Sequence, residues 1–260
     1  LLLGNIRKLP GYPLLVGLPV ALDGLSVLAG ILMNGFQGSP HMTFKLAFQM
    51  GMPSVSAVTE QRFMAGTVQL GAGGGLPAGS AATALLVLLL FLLVQAFVQG
   101  GYIGLLRDAA SGRPLTLAAF RAYGARYFTR FLLLDLLVLA VILAGGALAV
   151  LLFRGVGAVV SLLAFLILRV WFVYLEFTLV AKNCGIREAF PLALGSFKRR
   201  TRSTTSLIVK AVLLNVLFGL LVNALWVSFF FFLLLFLYDY MFAGVQLAFM
   251  EEYERIERGG

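Results

Sequence analysis

The chain has 260 residues, is 61% hydrophobic with a mean hydropathy of +0.99, and carries a formal charge of +9. Soluble domains use about 45–50% apolar residues, so water is not the solvent for most of this surface, and basic residues that flank apolar stretches exclude nucleic acid as the partner. One cysteine, Cys184, excludes an intramolecular disulfide or a CxxC pair, and one histidine, His41, argues against a histidine-based metal site; no cofactor and no metal are expected.

The chain opens on Leu1 rather than Met, so a few leading residues are expected to be missing. The first apolar stretch, 12–34, carries Asp23 mid-span and no small-residue cleavage site, which identifies a retained helix rather than a signal sequence. Residues 36–79 form the largest segment away from the spans. Within it, HMTFKLAFQMGMP and SVSAVTEQRFMAG read as short interfacial helices, and GAGGGLPAGS lacks the GK[ST] ending of a phosphate loop, so it reads as a connector.

Further stretches long enough to cross roughly 30 Å of hydrocarbon lie at 80–104, 131–153, 156–180, 204–224 and 227–249. The last two are nearly continuous, and the polar residues from Asn223 to Ser228 mark the turn between them. The expected fold is all-α: a polytopic bundle of about six spans, one integral membrane domain over 1–260 with an outer segment at 36–79. With six spans, fifteen basic residues fall on one side and three (Lys45, Arg62 and Arg154) on the other. Cytoplasmic loops retain positive charge, so both termini are expected inside, in a bacterial cytoplasmic membrane.

Two amphipathic elbows lie on that basic side. In 113–130, Pro114 suits a first helical position, Leu117, Phe120, Tyr123, Tyr127 and Phe131 share one face, and Arg126 and Arg130 lie opposite. In the second, near 186–200, Ile186, Phe190, Ala193, Leu194 and Phe197 share a face and a basic run follows. Arg121, Arg126, Arg130, Lys198, Arg199, Arg200 and Arg202 are therefore expected to meet lipid head groups, at roughly 1 kcal/mol per basic residue near the surface; simple topological anchoring is the other reading. Shared Ala-Phe pairs and following glycines (Gly124, Gly195) make 80–153 and 156–224 a weak internal repeat.

The order of a first span, a long outer segment, VQGGYIGLLRDAASGRPLTLAAFRAYGARYF, a span pair and AKNCGIREAFPLALGSFKRR resembles the membrane domain of bacterial glycerophosphoryl diester phosphodiesterases and related bacterial polytopic membrane proteins. The resemblance implies a helical membrane domain. The phosphodiesterase chemistry of such proteins belongs to a separate barrel, which this chain lacks up to Gly260, so no catalytic residue is carried over.

Six ionisable residues interrupt the spans: Asp23, Asp135, Arg169, Glu176, Lys210 and Asp239. A charge at helix centre costs about 2.5–3.5 kcal/mol on insertion scales, so these are expected to point inward, with Arg169 pairing Asp23 or Asp239 and Lys210 pairing Glu176 or Asp135. Gln95, Gln99, Asn215, Asn223 and Gln246 add hydrogen bonds between helices or line a polar path. An intramembrane enzyme needs a nucleophile and base, a metal cluster or a carboxylate pair at mid-depth; only Asp23 and Asp239 could supply such a pair, and they lack the local signatures of intramembrane proteases, so catalysis is disfavoured. Two functions stand: a non-enzymatic membrane domain that anchors or binds a partner, and a transporter or lipid-handling protein using the intramembrane charges. The partners expected are membrane lipids and a separately encoded cytoplasmic protein, which basic elbows and the acidic tail EEYERIE would dock; the oligomeric state is not legible.

Overall fold

A computed structural model describes residues 2–34, 40–41, 50–59 and 78–259. Among them there is no strand, and the chain is an all-α bundle. Its helices are α1 (Leu2–Lys8), α2 (Pro13–Asn34), α3 (Ala78–Ala110), α4 (Leu117–Phe153), α5 (Gly157–Trp171), α6 (Leu175–Ala181), α7 (Ile186–Arg199), α8 (Thr201–Ala224) and α9 (Ser228–Arg258). Five spans are long and apolar enough to cross a bilayer, and a sixth is made if Leu2–Gly11 and Pro13–Ala29, bent by 87° at Tyr12, count as one. The protein is a multi-pass membrane protein.

Two compact units divide the chain: Leu1–Gln95 with Val209–Ala248, and Ala96–Ile208 with Phe249–Gly260. In the first, α1 docks on α9, where Tyr240 Oη donates to the Ile6 carbonyl (3.2 Å) and a Cβ on Gly244 would stand 2.6 Å from Ile6 Cγ1.

The second unit rests on a glycine-for-aromatic exchange between α3 and α4. Gly101 and Gly104 receive the Phe120 and Tyr123 rings, and on α4 Gly124 receives Phe97. Beyond this contact α4 and α5 form a hairpin turned by Arg154–Val156, and most of its apolar side chains from Leu136 to Trp171 are exposed. An exposed apolar area of that extent is tolerated in lipid and not in water. At the turn a Cβ on Gly157 would lie 2.2 Å from the Ala149 carbonyl oxygen, so only glycine permits that approach.

Several expected boundaries move. The elbow expected at 113–130 is not a separate helix: Thr116 caps the start, accepting from Ala119 N at 3.1 Å, and α4 then runs unbroken through the span. Pro114 lies outside it, and between Leu117 and Phe153 no proline interrupts the helix. The second elbow is a separate helix, α7, begun where Gly185 N donates to Glu188 Oε2 (3.4 Å) and ended at Arg200. Its buried face centres on Ala189, Ala193, Ser196 and Phe197, rotated from the face expected. The span at 156–180 is broken at Phe172–Tyr174, whereas the turn expected from Asn223 to Ser228 is present between α8 and α9. The connector GAGGGLPAGS and both proposed interfacial helices lie largely outside the described residues.

Candidate functional site in the first unit

Residues 50–59, expected outside with the rest of 36–79, are packed within the first unit. Met50, Val55, Val58 and Thr59 are buried, although only Val55–Ala57 forms a short 3₁₀ turn. Three helices supply the polar groups that hold this irregular backbone. The Asn223 side chain on α8 donates to the Val58 carbonyl (3.0 Å), and the Gln246 side chain on α9 accepts from Gly51 N (3.4 Å). On α2, the Asp23 carboxylate accepts from Ser54 Oγ (2.7 Å) and from Val55 N.

These contacts set the direction of the segment. His41 N donates to the Asn223 carbonyl (3.0 Å), so His41 and Val58 both sit at the Asn223 end of α8. Gly51, between them in sequence, meets Gln246, which lies 18 residues past the start of α9, or roughly 27 Å along a helix rising 1.5 Å per residue. Residues 51–58 therefore run from deep along α9 back to the Asn223 end of the unit, where His41 also lies. Gly51 adopts φ 100°, a left-handed backbone open to glycine, and Pro53 follows.

Irregular backbone at membrane depth persists only where protein buries it or it lines a cavity, because lipid offers no hydrogen bonds. Replacing Asn223 with alanine removes the Val58 donor. The expected outcome is faster maleimide labelling of a Val58→Cys reporter, whose side chain is otherwise fully buried; an unchanged labelling rate would count against the anchoring role of Asn223.

Asp239 on α9 completes the arrangement. It is fully buried, and neither carboxylate oxygen has a hydrogen-bond partner. It lies within electrostatic range of Asp23. Beside it, Tyr238 Oη donates to Asn215 Oδ1 on α8 (3.1 Å), and Asn223 also donates to Gly219 O (2.7 Å). Two buried carboxylates, three amides and an irregular backbone thus lie in one unit.

The second unit regroups the remaining intramembrane charges. Arg169, at the end of α5, pairs with Glu176 in the first turn of α6 across the break at Phe172–Tyr174. Asp135 on α4 is in electrostatic range of both, and one oxygen each of Asp135 and Glu176 lacks a hydrogen-bond partner. The expected partner for Glu176, Lys210, is instead exposed on α8 in the other unit.

The basic groups expected at lipid are divided. Arg121, Lys198 and Arg202 are exposed. Arg126 and Arg130 each hold a guanidinium 5.6 Å from the Tyr127 ring centre, and Arg130 also donates to Asn183 Oδ1 (2.8 Å). Arg200 pairs with the buried Glu252 (3.7 Å) and Arg199 reaches Glu257 (4.0 Å), which also takes Lys182 and accepts from Ser196 Oγ (2.8 Å). The acidic tail is the end of α9, and it clasps the chain's own basic elbow. Arg200, Arg255 and Arg258 line, with Glu251 and Glu254, an open cleft of about 410 Å³.

Asp108 escaped the sequence reading. It is buried at the end of α3, accepts from Tyr123 Oη (3.0 Å) and pairs with Arg113 (2.7 Å). Its signal was an acid three residues before SGRP and seven after the Gly100–Gly101 pair. Cys184 sits in the link between α6 and α7, and burial pushes its thiol upward, which lowers the reactive thiolate fraction at neutral pH. No group of three or more His, Cys, Asp or Glu that could hold a metal occurs among the described residues.

No protein-family model matches the chain, nor does any curated protein or solved structure.

Proposed function

We propose that the protein moves a small solute or lipid head group across the membrane, along the re-entrant segment of the first unit. The observation that carries this reading is the irregular backbone of residues 50–59, buried among α2, α8 and α9 and tied to Asp23, Asn223 and Gln246. Membrane transporters build their sites from interrupted helices and unwound backbone near the midplane, where exposed peptide groups contact the cargo. A dry structural bundle has no need to carry two buried carboxylates at several kcal/mol each. The protein is read as residing in a bacterial cytoplasmic membrane with both termini cytoplasmic, on the strength of the basic asymmetry.

The partner-binding reading keeps one specific support, the open cleft at the α9 end lined by Arg200, Arg255 and Arg258. Its arginines are largely matched by Glu252 and Glu254 of α9, so it ranks second. The resemblance to the membrane domains of glycerophosphoryl diester phosphodiesterases accords with either reading and adds no chemistry.

Intact vesicles test the proposal. In a Cys184→Ser background, Ser54→Cys is expected to react with a membrane-impermeant thiosulfonate added from one face, because a path brings water to residue 54. A control cysteine at Val227, in the exposed α8–α9 turn, reports which face is open. Removal of a C-terminal tag by protease only after the membrane is breached is the result expected for cytoplasmic ends. Protection of Ser54→Cys from both faces, with the control labelled, overturns the transport reading.

A further inference from the structure

We propose that Asp239, opposed by Asp23 inside the first unit, is a proton-binding site, and that the proton is the coupling ion of the path described above; the inference rests on that transport reading. The argument is one of charge and ligand supply. Asp239 is fully buried and both its oxygens lack a hydrogen-bond partner, whereas each Asp23 oxygen already accepts a bond from the re-entrant segment.

The other charged groups on the described elements of this unit are Arg7 and Lys8 on α1 and Lys210 on α8, and all three are exposed. Residues 50–59 and the part of α3 in this unit carry no charge. The remaining titratable groups are His41, Tyr12, Tyr238 and Tyr240. The hydroxyls of Tyr238 and Tyr240 are given to Asn215 Oδ1 and Ile6 O respectively. The pair therefore calls for a positive charge from outside, since two like carboxylates in apolar surroundings do not both stay ionised.

A metal ion would require a shell of several oxygens, and no acidic or histidine cluster of that size occurs among the described residues. A proton requires one carboxylate oxygen. The step balances simply: the Asp239 carboxylate takes one proton to become the neutral acid, and returns it to regenerate the carboxylate, with no other bond made or broken. An unpartnered carboxylate suits this exchange because no ion pair has to break for the proton to leave.

The test is infrared difference spectroscopy of the purified full chain in lipid nanodiscs, titrated from acid to alkaline pH. The expected result is a carboxylic-acid carbonyl band that is lost with rising pH, shifts in D₂O, is missing in Asp239→Asn, and survives in Asp23→Asn. Asp239→Glu, which keeps the acid, is expected to retain a displaced band, so loss in Asp239→Asn is separable from misfolding. A band that neither titrates nor exchanges in D₂O, or that disappears in Asp23→Asn but not in Asp239→Asn, overturns the proposal. So does a thermal midpoint raised by sodium or potassium over choline in the wild type but not in Asp239→Asn, which would make an alkali ion the occupant. A titrating band combined with a Ser54→Cys shielded from both faces would remove the transport reading and leave the proton site standing.

Discussion

Replacing Arg169 with methionine is expected to destabilise the protein by about 3–5 kcal/mol, the cost of leaving a buried charge without its partner. Glu176 is almost wholly buried and takes its ion pair from Arg169, while Asp135 lies close enough to feel both. Removing the guanidinium leaves two carboxylates, Asp135 in the apolar hairpin and Glu176 at the start of α6, without a compensating charge. The measurement is the thermal midpoint of purified protein in detergent. Adding Glu176→Gln to the same chain should restore most of the loss, because it removes the stranded charge while keeping the side-chain shape. A single variant as stable as the wild type, or a double variant no better than the single, would show that the pair is not buried as described.

Gly104→Leu is the second large effect. The first carbon of any side chain there would stand 2.3 Å from Cγ of Tyr123 and 2.6 Å from its Cβ, so α3 and α4 must separate or the tyrosine must leave. Overpacking typically costs about 1–3 kcal/mol, and this site belongs at the upper end because Tyr123 is also tied to Asp108, which in turn holds Arg113. Combining Gly104→Leu with Tyr123→Ala opens the space and is expected to recover part of the thermal midpoint. If Gly104→Leu melts with the wild type, the helices are not as close as the glycines require.

Much of the architecture is legible in the sequence because hydropathy reports it directly: about twenty apolar residues are what a bilayer demands, and the polar residues Asn223 and Ser228, which interrupt the apolar run, mark a real turn. What escapes is decided by tertiary contact. Residues 50–59 are too short to span, so nothing local separates them from the outer interfacial helices expected there. The hint lay in their future partners, since Asp23, Asn223 and Gln246 are polar groups inside spans, expected to bond to other helices but in fact bonded to this segment. The Arg169–Glu176 pair was missed for a related reason. Seven residues of unbroken helix set two side chains on one face but roughly 10 Å apart in rise, and the break at Phe172–Tyr174 is not announced by glycine or proline. Conversely, α4 absorbs its elbow because the sequence offers nothing to stop the helix.

The re-entrant segment also fixes an order of events in the making of the protein. Its anchors lie far along the chain, 165 residues on for Val58 with Asn223 and 195 for Gly51 with Gln246. Ribosomes add residues at about 5–20 per second and release the amino end first, so this stretch emerges well before either anchor exists. Its bare peptide groups have no place in lipid until then. The segment must therefore wait at the water boundary and slot in last, when α8 and α9 arrive to receive it. The finished interior is closed only once α9 has been made, and a chain truncated ahead of α9 would be left with that gap open.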